Sequence, residues 1–87
     1  MKTSVSVGLL LAGQLTKAGF TQDLGHFGWT LKRGGYQLVI IIDGISISAI
    51  GATDNELMWN DVELFSEVTT WIDDQIESFY ISVYGDK

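Results

Sequence analysis

Carboxylates are the chemistry this 87-residue sequence holds in excess. Asp54, Glu56, Asp61 and Glu63 lie close together, and Glu67, Asp73, Asp74 and Glu77 follow. Two carboxylates can act as acid and base on a glycosidic bond, but their separation in the fold decides this, and no pair here is marked out by context. A calcium loop needs alternating ligand positions, a central glycine and a closing bidentate glutamate. The run from Asp54 to Glu63 has the acidity without the pattern. Asp73, Asp74 and Glu77 could seat a divalent ion on one helix face, although such a trio more often forms a solvated face.

The other reactive types are scarce. His26 is the single histidine, so a triad or a histidine-based acid–base site would have to use it. It stands in the loop-like run Asp23-Leu24-Gly25-His26-Phe27-Gly28, which suits a surface or turn histidine. Asp23 and His26 could contact one cation, but a structural zinc site needs four ligands. No cysteine is present, which removes thiolate metal sites and disulfides and fits a reducing compartment. The glycines spell neither a GxxxxGK[ST] phosphate loop nor a strand-linked GxGxxG. These residues point to a non-enzymatic protein with no catalytic set, no metal and no cofactor.

Charge is distributed unevenly. The net charge is −6. Residues 1–34 hold four basic side chains against Asp23, giving +3, while residues 35–87 hold ten acids against Lys87, giving −9. Such a surface is repelled by nucleic-acid phosphates and by anionic membranes and is attracted to basic protein surfaces. The expected partner is therefore a protein with a basic surface, with no direct binding to nucleic acid or membrane. Aromatic residues could stack bases, but single-strand binders set such rings in a basic groove, and here Trp59 and Trp71 stand among acids. Trp59, beside Met58 in a polar stretch, fits an apolar anchor for a partner and fits a core position equally well.

Elements that could position these residues are legible in the periodicity. The length suits one domain over residues 1–87, and 46% hydrophobic residues supply either a dense core or an interface, so a homodimer is an open possibility. Val7, Leu11, Leu15 and Ala18 recur at helical spacing over Thr3–Ala18, with Gly19 as the left-handed cap. Alternation of Val5, Val7 and Leu9 with Ser4, Ser6 and Gly8 offers a competing short strand. Phe27, Trp29 and Leu31 alternate as a strand, Gly34-Gly35 makes a tight turn, and the unbroken run Leu38–Ile42 suits a central strand covered on both faces. Asp43-Gly44 signals a second turn before the alternating Ile45, Ile47 and Ala49. Asn60 with Glu63 resembles a helix start, after which Val62, Phe65, Val68, Ile72, Ile76 and Phe79 form an apolar stripe. Phe79–Tyr84 is rich in β-favouring residues and reads as a returning strand. The expected fold is α+β, a small antiparallel sheet of three or four strands with two helices in the order α-β-β-β-α-β. Met1 and Lys2 before the apolar stretch Val5–Leu11 fall short of a secretory signal, because the positive region is one lysine and no small-x-small cleavage site follows. No run is long enough to span a bilayer, and a cytoplasmic protein is expected.

Carboxylates offered from a loop and a helix can stand in for a row of phosphates. Asp54, Glu56, Asp61, Glu63, Glu67, Asp73, Asp74 and Glu77, with Trp59, are the expected partner-binding residues. A short sheet, an acidic turn and then a helix reading Phe65-Ser66-Glu67-Val68-Thr69-Thr70-Trp71-Ile72-Asp73-Asp74 resembles small phage-encoded inhibitors of the anti-CRISPR type. That resemblance implies inhibition of a nucleic-acid-handling complex, such as a nuclease or a CRISPR effector, in the host cytoplasm. The alternative is a self-associating structural or assembly protein whose acidic face only keeps an apolar domain soluble.

Overall fold

A computed structural model of the chain describes residues 4–23, 28–51 and 54–85. Among these, helix α1 (Ser4–Ala18) leads into strands β1 (Thr21–Asp23), β2 (Gly28–Arg33), β3 (Tyr36–Ile42), β4 (Ser46–Gly51) and β5 (Asn55–Met58). A single 3-10 turn over Trp59–Asp61 then precedes helix α2 (Phe65–Tyr84). The strands form one antiparallel meander in the order β1-β2-β3-β4-β5. The chain is thus α+β, with β3 in the centre as its aliphatic run requires.

Register separates the two faces of the sheet, because directly paired residues share a side. Trp29, Ile40, Ala49 and Asn55 lie in one row, and Leu31 with Leu38 and Ile42 with Ile47 extend that face. Leu31, Leu38, Ile40 and Ile47 are fully buried there against Leu11 and Leu15 of α1 and Val68, Ile72 and Phe79 of α2. Both helices therefore cover the same side. The other face carries Thr30, Val39 and Ile50 in one row and Ile41, Ser48 and Glu56 in the next. Val39 and Ile41 are only half-buried. The expectation that β3 is covered on both faces thus holds for one face.

Two turns set the meander. Gly34 and Gly35 have φ of 56° and 85°, the paired left-handed conformation that a two-residue hairpin needs. At the next turn Asp43 Oδ1 accepts from the backbone N–H groups of Ile45 (2.7 Å) and Ser46 (2.8 Å), so the aspartate side chain holds the bend that Asp43-Gly44 signalled.

Four expectations need correction. Residues 79–84 continue α2, because Ile76, Phe79, Tyr80 and Val83 prolong the helical stripe onto the core and outweigh local β preference. Tyr80 and Tyr84, one turn apart, stack with ring centroids 5.7 Å apart. The acidic segment after Gly51 is not all loop: β5 pairs with β4, placing Asn55 and Leu57 toward the helices. A short β1 also forms in the connection after α1. Finally, α2 begins at Phe65 behind an extended Leu64, with no side-chain cap, so Asn60 is not its cap. Glu67 instead reaches back, its Oε1 accepting the Glu63 N–H at 3.3 Å. The helical reading of the first segment holds for Ser4–Ala18, and Gly19 follows it with φ 103°.

Candidate functional site

The outer arc of α2 gathers carboxylates for a geometric reason. Val68, Ile72, Gln75 and Phe79 face the core, and with 3.6 residues per turn the opposite side falls to Ser66, Glu67, Thr70, Asp73, Asp74 and Glu77. All six are exposed. Glu67 and Asp74, two turns apart, flank the half-buried Trp71, and with Ser66 and Thr70 they line a shallow open depression. From Glu67 to Glu77 the helix rises about 15 Å, so the four carboxylates stand about 5 Å apart on average along the axis. The helix has no lysine or arginine, since none occurs from Gly34 to Asp86. Basic side chains among the described residues belong to α1 (Lys17) and the end of β2 (Lys32 and Arg33).

Each remaining candidate has a definite place. Asp73 sits at the border with α1, where Gln14 Nε2 donates to Asp73 Oδ1 (3.0 Å) and to the Thr69 carbonyl (3.1 Å). That carboxylate therefore helps join the helices while remaining exposed. Glu63 and Asp61 are exposed in the segment entering α2. Asp54 is exposed before β5 and accepts from the Gly51 N–H at 3.4 Å. Glu56 lies on the helix-free sheet face, where Ser46 Oγ donates to its Oε2 at 3.0 Å. The structure thus brings Glu67, Asp73, Asp74 and Glu77 together and sets Glu56 on the other side of the sheet.

Trp59 is a core residue and not an exposed anchor. It is 6% exposed, its Nε1 donates to the Asp43 carbonyl at 2.6 Å, and its backbone N–H donates to the Ile45 carbonyl at 3.0 Å. The indole ties the β3–β4 turn to the entry of α2, which explains a large apolar residue in a polar stretch. The aromatic ring beside the acids is instead Trp71. Its signal in the sequence was the spacing, with Glu67 four residues before and Asp74 three after.

His26 and its pairing with Asp23 lie outside the described residues. Among the described residues no group of three or more His, Cys, Asp or Glu side chains is placed to hold a metal ion, and no helix is long and apolar enough to cross a membrane. Comparison of the chain with protein-family models, with curated proteins and with solved structures finds no match.

Proposed function

We propose that this chain is a non-enzymatic binding protein that inhibits a nucleic-acid-handling protein complex, its acidic surface occupying a basic groove in place of nucleic acid. The observation that carries this reading is the uncompensated row Glu67, Asp73, Asp74 and Glu77 on the outer arc of α2. The mean spacing of about 5 Å is of the same order as the one phosphate per about 3.4 Å along a strand of B-form DNA. A rigid helix holds that row without the conformational cost of ordering a loop. Trp71 adds an aromatic flank against which an arginine of the groove could stack. Asp54, Asp61 and Glu63 extend the negative field toward the start of the helix, and Glu56 has no part in the same contact. An inhibitor of this kind, such as phages encode against CRISPR effectors, would act in the host cytoplasm.

Titrating the chain into an RNA-guided DNA-cleaving complex that holds a fluorescent target duplex tests the reading. The expected result is displacement of the duplex, weakening as salt rises from about 50 to 300 mM, because screening removes the long-range attraction. Displacement that ignores salt, or none across complexes of this class, would overturn the proposal.

A further inference from the structure

Strand β5 ends the meander, and the register fixes which of its backbone groups face outward. A residue in a strand sends its N–H and C=O toward the same neighbour, and successive residues alternate between the two sides. The Trp59 N–H donates to the Ile45 carbonyl at 3.0 Å, one step beyond the pair of Ser46 with Met58, so Trp59 points toward β4. Counting back by two, Leu57 and Asn55 also point toward β4, where they face Ile47 and Ala49. The other side of β4 agrees. The Asp43 N–H donates to the Ser46 carbonyl, so Ser46 and Ser48 point toward β3 and leave Ile47 and Ala49 to β5. The N–H and C=O groups of Glu56 and Met58 therefore face away from the sheet, with no backbone partner among the described residues.

An open edge of this kind is a template for another strand, and natural edges are commonly blunted by a proline, a lysine or a bulge. Asn55–Met58 has none of these, and its single charge is Glu56. A strand laid antiparallel on β5 places each of its residues on the same side as the residue it faces. The position facing Glu56 lies on the helix-free side and favours a base. The position facing Leu57 lies on the helix side, where the flank of α2 stands over β5, held by Asn55 Nδ2 donating to Gln75 Oε1 at 2.8 Å. Trp71 is half-buried one turn before Gln75 on that flank, so an aliphatic side chain fits there. Exposed Asp54 precedes the strand and exposed Asp61 follows it. The described bases, Lys17, Lys32 and Arg33, belong to α1 and to β2, three strands away.

We propose that the β5 edge binds an extended segment of a partner protein as a sixth, antiparallel strand, with an arginine or lysine facing Glu56 and an aliphatic residue facing Leu57. Main-chain bonds supply the affinity of such an addition, and the alternating side chains supply its selectivity. Charge argues against a second copy as the occupant. Its β5 would bring Glu56 against Glu56, and its β1 reads Thr21-Gln22-Asp23, with an acid and no base. This proposal does not rest on the inhibitor reading, and its test needs no nuclease.

The probe is the blocked peptide acetyl-Lys-Val-Ile-Arg-Thr-Lys-amide, which in antiparallel register sets its valine against Met58, its isoleucine against Leu57 and its arginine against Glu56. Titration from about 10 μM to 2 mM, followed by NMR of the backbone amides, is expected to saturate and to slow hydrogen exchange at the Glu56 and Met58 N–H groups. Attraction by charge alone does not protect those two amides. Methylating the backbone nitrogens of the peptide's valine and arginine keeps every side chain but removes the donors to the Met58 and Glu56 carbonyls, and should weaken binding at least about tenfold. Met58→Pro removes an outward N–H and should weaken binding of the parent peptide as well. That variant should keep its fold, because Met58 has φ −82°, near the proline value, and its N–H does not serve β4. Glu56→Gln retains an acceptor for Ser46 Oγ and should weaken binding roughly two- to fivefold. Amides of Glu56 and Met58 that exchange as in the free chain, or a methylated peptide that binds as well as its parent, would overturn the proposal. Protection of the same amides on concentrating the chain without peptide would also overturn it, by giving the edge to a second copy.

Discussion

Replacing Trp59 with phenylalanine isolates the joint between the β3–β4 turn and the entry to α2. The substitution keeps an aromatic ring in a site that is 6% exposed but removes the donor that reaches the Asp43 carbonyl at 2.6 Å. Loss of that bond costs about 1 kcal/mol net, because Asp43 is exposed and its carbonyl can turn to water. The smaller ring leaves a void about three heavy atoms in size, worth roughly another 1 kcal/mol. The total is about 2 kcal/mol, and at about 4–8 °C per kcal/mol for a domain of this size the melting temperature should fall by about 8 °C or more. Thermal and urea unfolding followed by far-UV circular dichroism measures this without depending on tryptophan emission. Trp71→Phe is the control, because that ring is half-buried at the flank of α2, at the edge of the core, and should cost about 1 kcal/mol or less. Equal, small losses for both variants would refute the structural role given to Trp59.

Two further perturbations probe the sheet, and one probes α1. Gly51 has φ 121°, and a methyl group there would run into the carbonyl oxygen of Gln37, so Gly51→Ala should cost about 2–4 kcal/mol in chemical denaturation. Gly13, which has nothing near the position of a Cβ in the exposed middle of α1, should instead gain about 0.5–1 kcal/mol as Gly13→Ala. Ile40→Asp places a charge at a fully buried position in the central strand and should abolish soluble expression; a folded variant with the wild-type melting temperature would contradict the register.

How legible these features were depends on the range of the interaction that produces them. The β2–β3–β4 meander was readable because each turn has its own chemistry, Gly34-Gly35 by positive φ and Asp43 by its side-chain acceptors. The core stripe of α2 was readable from spacing alone. Its end was not, because the β preference of Tyr80, Ile81, Val83 and Tyr84 is local, whereas burial of Phe79 beneath the sheet and contact of Val83 with the core are tertiary. Strand β5 is four residues of mixed polarity, and its pairing with β4 makes it a strand. Trp59 was ambiguous for the same reason, since its hydrogen-bond acceptor lies sixteen residues away. Of the acidic candidates, those on α2 shared a face as helical geometry required, while Glu56 took the opposite side of the sheet through the pleat of a strand that the sequence did not announce.

The central claim concerns the carboxylates on the outer arc of α2, and a triple amide variant bears on it most directly. Glu67→Gln, Asp74→Asn and Glu77→Gln keep size and helix, and the amide replacing Glu67 would retain an Oε1 acceptor for the Glu63 N–H. Inhibition of target cleavage by an RNA-guided nuclease, measured for wild type and variant at low and physiological salt, is the decisive experiment. The account predicts that the wild type inhibits and loses potency with salt, while the variant, with an unchanged melting temperature, associates at least about tenfold more slowly. A triple amide variant that inhibits as well as the wild type at both salt concentrations would contradict it and reduce the acids of α2 to a means of staying soluble.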